Sequence, residues 1–137
     1  MLRFEIVVMG LMLATPAWAL GNAPPEAINV PSGQAVRFVE VVMNAPGTTG
    51  LVARFRFVAP AIAKHGGSVD YDVATVDMEH LCNSFALPRV ASTGPRPSQI
   101  IISLADRDVP FGEAAPEATQ FFEAYQIDGD ACIWEAF

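Results

Sequence analysis

His80 and Cys82, in "MEHLCNSF" (residues 78–85), form the one place in the chain where an imidazole and a thiol stand close in sequence. Three chemistries begin from such a pair: a thiol nucleophile with its base, a metal clip, or half of a disulfide. A reactive thiolate needs a base within hydrogen-bond reach and surroundings that favour the anion. If the segment is helical, His80 cannot be that base for Cys82, because two residues along a helix is a turn of about 200°. His65 lies in "KHGGS" and reads as an exposed loop residue. Zinc has no recognisable site either, since the two cysteines and two histidines lack Cys-x-x-Cys or His-x-x-x-His spacing.

The carboxylates offer a second chemistry. Asp70 and Asp72 share one face of a strand in "VDYDVATV", and Asp77 and Glu79 follow at a helix start. Acids gathered at one strand-to-helix junction suit a calcium or magnesium ion, and a cation-dependent hydrolase using Asp70, Asp72 and Asp77 is the alternative functional reading. Against it, the EF-hand pattern fails at Ala74, and acids at a helix N-terminus are favoured by the helix dipole alone. Asp106, Asp108, Asp128 and Asp130 read as turn residues, and Glu123 and Glu135 as polar rims among aromatics.

The start of the chain decides between the remaining readings of Cys82. Residues 1–19 open with Arg3, run apolar from Ile6 to Ala14 and end in Ala17-Trp18-Ala19, the small-x-small pattern of a secretory leader cut after Ala19. The apolar run is about half of the roughly 20 residues a spanning helix needs, so no integral membrane segment is expected in the mature chain. The expected location is periplasmic or secreted. In that oxidising space the only two cysteines, Cys82 and Cys132, are expected to pair. The bond would close a loop of about 51 residues, worth roughly 4 kcal/mol in the chain-entropy model.

Charge narrows the partners. The chain carries a net charge of −7, which repels a phosphate backbone and argues against nucleic acid. Residues 20–64 hold four basic and two acidic side chains, and residues 65–137 hold three and twelve. Ordinary solubility accounts for such an acidic half, and attraction of a basic partner or a cation is the sharper alternative.

These residues need elements to hold them. The arm 20–34, rich in Pro and Gly, is read as extended, with at most a short edge strand at Ile28 to Val30 and no part in the core. "AVRFVEVVM" (35–43) and "LVARFRFV" (51–58) flank "NAPGTTG" and predict a hairpin. A symmetric loop sets Glu40 opposite Arg54 and puts Val39, Val41 and Met43 with Phe55 and Phe57 on the buried side. Arg54 and Arg56 then look outward, as a solvated face with one weak ion pair or, alternatively, as an anion site.

Residues 69–76 are read as a third strand. Asp77 then caps a helix from Met78 to about Leu87, with Met78, Leu81, Cys82 and Phe85 as its apolar stripe and Pro88 as its stop. "QIIISLA" (99–105) is too continuously apolar to have a wet face and predicts a central strand. Residues 116–127 fit a helix with Ala118, Phe121, Phe122 and Tyr125 on one side. They also fit the first arm of a hairpin turning at Asp128-Gly129, and the helix is favoured because alternation would bury Glu123. Residues 131–137 close the sheet. Phe137 matches the final aromatic of outer-membrane barrels, but Glu135 would face lipid and the strands are too few.

"VPSGQ" (30–34), "HLC" (80–82), "QIIISLADR" (99–107) and "FFEAYQIDGDACIWEAF" (121–137) together resemble a family of small exported alphaproteobacterial proteins catalogued only as a domain of unknown function. The resemblance implies export, a cysteine pair at Cys82 and Cys132, and no assigned catalytic residue; no cofactor is expected. The expectation is a single α+β domain over 35–137, a mostly antiparallel sheet of about five strands with one or two helices on one face. Its expected role is a non-catalytic binding or accessory module for a protein or small ligand in the periplasm.

Overall fold

The computed structural model describes residue 10 and residues 27–43, 50–90 and 95–136. Apart from Gly10, the segment read as a leader, the expected cleavage position at Ala19 and Phe137 lie outside the described residues.

β-branched and aromatic runs form the two strands of the hairpin, β1 (Arg37–Met43) and β2 (Val52–Val58), paired antiparallel. A bulge between Phe38 and Glu40 shifts the register, so Glu40 pairs with Arg56 and Val42 with Arg54. The symmetric-loop expectation of Glu40 opposite Arg54 is therefore corrected by two residues. One extra residue in β1 also turns Val39 off the face that Phe38, Val41 and Met43 share with Phe55 and Phe57, and the expected burial of Val39, Val41 and Met43 is corrected: at this edge strand each keeps over a third of its surface exposed. Phe55 and Phe57 are each 1% exposed, and burying such a ring contributes about 2 kcal/mol.

Most of the segment 69–76, read as a strand, is helix, from residue 71 onward. α1 (Tyr71–Leu81) starts one residue after Asp70, whose carboxylate accepts from the Val73 N–H at 2.9 Å. The apolar stripe begins a turn earlier than its hydrophobic residues suggest. Ala74, Asp77, Met78 and Leu81 are all buried on the core side, and the aspartate among them breaks the pattern that marks a helix. Nor does Pro88 end the helix. A wide π-type turn, Cys82–Ala86, in which the Leu87 N–H reaches the Cys82 carbonyl, leads into α2 (Leu87–Val90). Proline lacks the donor a regular turn uses and clashes with the carbonyl four residues back, so a locally widened ladder accommodates it.

β3 (Gln99–Ala105) is buried along its whole length at the centre of the sheet, as its apolar run predicts. It pairs parallel with β2, the helix making the crossover between them, and antiparallel with β4 (Gln120–Asp128). β4 occupies the segment for which a helix was favoured. Its helix-side face packs on the core, while Phe122 on the other face lies beside Arg54 and is 39% exposed, so apolar residues occur at both parities and imitate a helical stripe. Tertiary pairing on two sides then overrides local preference. β5 (Ala131–Glu135) follows through a two-residue turn with Gly129 at φ +58°. The strands lie in sequence order, β1-β2-β3-β4-β5, giving a mixed, mostly antiparallel sheet in one α+β domain.

The core lies between the sheet and the helix, built from Phe55, Phe57, Met78, Leu81, Ile100, Ile102, Leu104 and Tyr125. Val30 belongs to it too, which corrects the expectation that the extended arm 20–34 takes no part in the core: its described residues, 27–34, contribute this valine, and Val36 follows just before β1. Among the described residues no helix is long and apolar enough to cross a membrane.

Candidate functional site

The three aspartates of the predicted metal cluster sit on one helix and do different work. Asp70 caps α1, and Asp72 stands exposed in the first turn. Asp77 points the other way and is fully buried. Its carboxylate accepts from the Ser32 N–H at 2.9 Å, the Ser32 hydroxyl at 2.5 Å and Gln34 Nε2 at 2.7 Å. It is therefore not the helix cap it was read as; it pins the segment before β1 to the helix. Among the described residues no three His, Cys, Asp or Glu side chains gather where a metal could be held.

Cys82 and Cys132 are bonded, with their Cα atoms 6.2 Å apart. Beside the bond, Asn83 Oδ1 accepts from the Cys132 N–H at 2.9 Å. The two links fix β5 under the helix, and Trp134, two residues beyond Cys132 on the same strand face, is held there with it.

What Trp134 meets is Glu123. Phe121, Glu123, Tyr125 and Ile127 point from β4 toward the helix side, where alternation forces the glutamate among aromatics. Glu123 is only 4% exposed, yet both of its oxygens are served. Oε2 accepts from the Trp134 indole N–H at 2.6 Å, and Oε1 accepts from the Tyr71 hydroxyl at the start of α1. The Tyr71 ring packs edge-on against Phe121, centroids 5.2 Å apart. The objection to a strand at β4 thus dissolves in two hydrogen bonds from residues 52 and 11 positions away.

Around this carboxylate is a cleft of about 350 Å³ between helix and sheet, within the size range of small-ligand pockets. Tyr71, Thr75 and Glu79, successive at i, i+4 and i+8, line it from α1, and Glu123, Tyr125 and Trp134 from the sheet. Tyr71 and Trp134 keep much of their surface open, at 48% and 62%. The hydrogen bond to Glu123, burial and the charges of Glu123 and Asp72 raise the Tyr71 pKa above its ordinary value. Burial, with the charges of Glu123 and Glu79, raises that of Tyr125. Two carboxylates and the two open aromatic faces of Tyr71 and Trp134 provide negative potential and π surface, the chemistry that holds an organic cation.

Neither Glu123 as a site centre nor Tyr71 as its partner was legible in the sequence, where Glu123 reads as a rim residue. Its position between Phe122 and Tyr125 was the one available signal. On the opposite face of the sheet, Arg54 and Arg56 are partly buried rather than fully solvated, because the segment Val109–Glu113 folds over them.

No curated protein and no solved structure matches the chain. The model of a family of unknown function, DUF6497, matches residues 11–137, and the chain belongs to that family.

Proposed function

We propose that this is an exported, disulfide-stapled binding module that captures small organic cations in the cleft between helix and sheet. The observation that carries the reading is Glu123, a buried carboxylate held by two neutral donors, Tyr71 and Trp134, beneath aromatic faces that remain open to solvent. A buried carboxylate with no cationic partner among the described residues leaves its charge to attract a ligand from outside. Export rests on the Ala17-Trp18-Ala19 leader and on a disulfide suited to an oxidising space.

In a chain lacking residues 1–19, Trp134 is the sole tryptophan, so its fluorescence reports the cleft. Choline is expected to change that emission saturably at millimolar concentration. Its neutral isostere 3,3-dimethylbutan-1-ol is expected to have at least tenfold less effect, and Glu123→Gln to abolish the response. Equal responses to choline and the alcohol would sink the cation reading. Mature protein recovered from a periplasmic extract should begin at Leu20.

A further inference from the structure

The other face of the sheet holds a basic counterpart to that cleft. Arg54 projects from β2 between two phenylalanine rings, with its guanidinium carbon 5.6 Å from the Phe111 centroid and 5.5 Å from that of Phe122. Its Nε is buried and makes no hydrogen bond. Among the described residues no carboxylate pairs with Arg54. Its neighbour Arg56 is already engaged, to Glu40 at 2.5 Å and to the Val109 carbonyl. A buried, unserved guanidinium donor is a rare feature that calls for a partner, and the planar fork of arginine matches a carboxylate. Burial and, after it, the charge of Arg56 lower the Arg54 pKa.

The surroundings select the anion. The cleft over Arg54 has a volume of about 330 Å³, walled by Val109, Pro110, Phe111 and Phe122, with the buried Ser103 on its floor and Glu113 on its rim. Apolar walls favour a ligand with an apolar body. One uncommitted guanidinium, with a carboxylate at the rim, matches a single negative charge better than two.

We infer that the Arg54 cleft, between Phe111 and Phe122, is a second binding site, for a small organic monocarboxylate with an aromatic or branched apolar body. The carboxylate takes the donors of Arg54, and the body lies against the two rings. This site is separate from the Glu123 cleft and stands or falls without it.

The test uses the intact mature protein and benzoate, followed by amide chemical-shift perturbation. Saturable shifts confined to β2, β3, β4 and residues 109–113 are expected at millimolar benzoate. Benzamide, of the same shape but neutral, should bind at least tenfold more weakly. Arg54→Met, which keeps the stem between the rings, should weaken benzoate at least tenfold while leaving the choline response of Trp134 unchanged. Benzoate and benzamide binding equally, or no saturable shift with benzoate, would overturn the site. Inorganic phosphate displacing benzoate at equal concentration would overturn the assignment to monocarboxylates. If the substituted protein does not fold, the benzoate and benzamide comparison on the unaltered chain decides.

Discussion

Asp77→Ala tests how the segment before β1 is held. The carboxylate is fully buried and accepts three hydrogen bonds, two from Ser32 and one from Gln34. Hydrogen bonds to a charged group are each worth about 1.5–3 kcal/mol, but truncation also removes the cost of burying the charge, and Ser32 can return to water as the segment loosens. The net loss expected is about 3 kcal/mol, on the scale of a domain's whole 5–15 kcal/mol stability. For a domain of this size that lowers the melting temperature by about 10 °C.

Asp77→Asn should cost less, about 1 kcal/mol. The buried Oε1 of Gln34 has no partner, and a flipped Gln34 amide can accept from the new side-chain amide. Urea unfolding measures both, with Asp72→Ala as the exposed control at under about 1 kcal/mol. Hydrogen exchange should show faster opening at Ile28 and Gly33, whose N–H groups bond Val36 and Val30 within that segment. If Asp77→Ala unfolds at the same urea concentration as the Asp72→Ala control, the carboxylate does not hold the segment and the reasoning fails.

Replacing both cysteines by alanine should reduce unfolding free energy by about 4 kcal/mol, from the loop-closure term for 50 residues of separation, measured by urea titration without reductant. Both tyrosine pKa values are raised, so the folded state favours the protonated phenols, and their contribution is complete below pH about 10 and lost as pH rises through the folded values. Absorbance at 295 nm should therefore show far less phenolate in the native protein than in unfolded protein at pH about 10.5. Tyr71→Phe should remove part of the alkaline fall in stability, read as melting temperature against pH. Glu123→Leu should leave the Trp134 indole N–H without its acceptor and shift its emission, while choline no longer alters it.

Much of the fold is legible where one physical signal dominates. The unbroken apolar run of β3 could only be a strand covered on both sides, and the hairpin of β1 and β2 follows from alternation around a Pro-Gly turn. The failures occur where polar residues are buried for a partner far away in sequence. Asp77 on the core face of α1 hid the helix, because its donors Ser32 and Gln34 lie 45 and 43 residues earlier. Glu123 hid β4 for the same reason, its donors coming from α1 and β5. Periodicity counts apolar residues, and a buried carboxylate counts against the element that contains it until its donors are known. The Phe38–Glu40 bulge is a backbone event with no residue-type signal, so the register of the arginines could not be derived from the loop.

The two proposed sites depend on one register. In β4, Phe122 faces the Arg54 side of the sheet and Glu123 the helix side. A slip by one residue would exchange them, placing a carboxylate beneath Phe111 and a phenyl ring under Tyr71. Such a slip would also turn the exposed Gln126 and Asp128 toward the core and the buried Tyr125 away from it, so burial opposes it. The disulfide and Asn83 act on the neighbouring strand, setting Cys132 opposite Ile127 and so Trp134 opposite Tyr125. Trp134 then reaches Glu123 only in the native alignment, so the hydrogen bonds to Glu123 stabilise the register as well as shaping the cleft. On this view the covalent bond does more than restrict the unfolded chain: by holding Trp134 opposite Tyr125 it reinforces the register in which β4 turns Glu123 to the acidic cleft and Phe122 to the basic one.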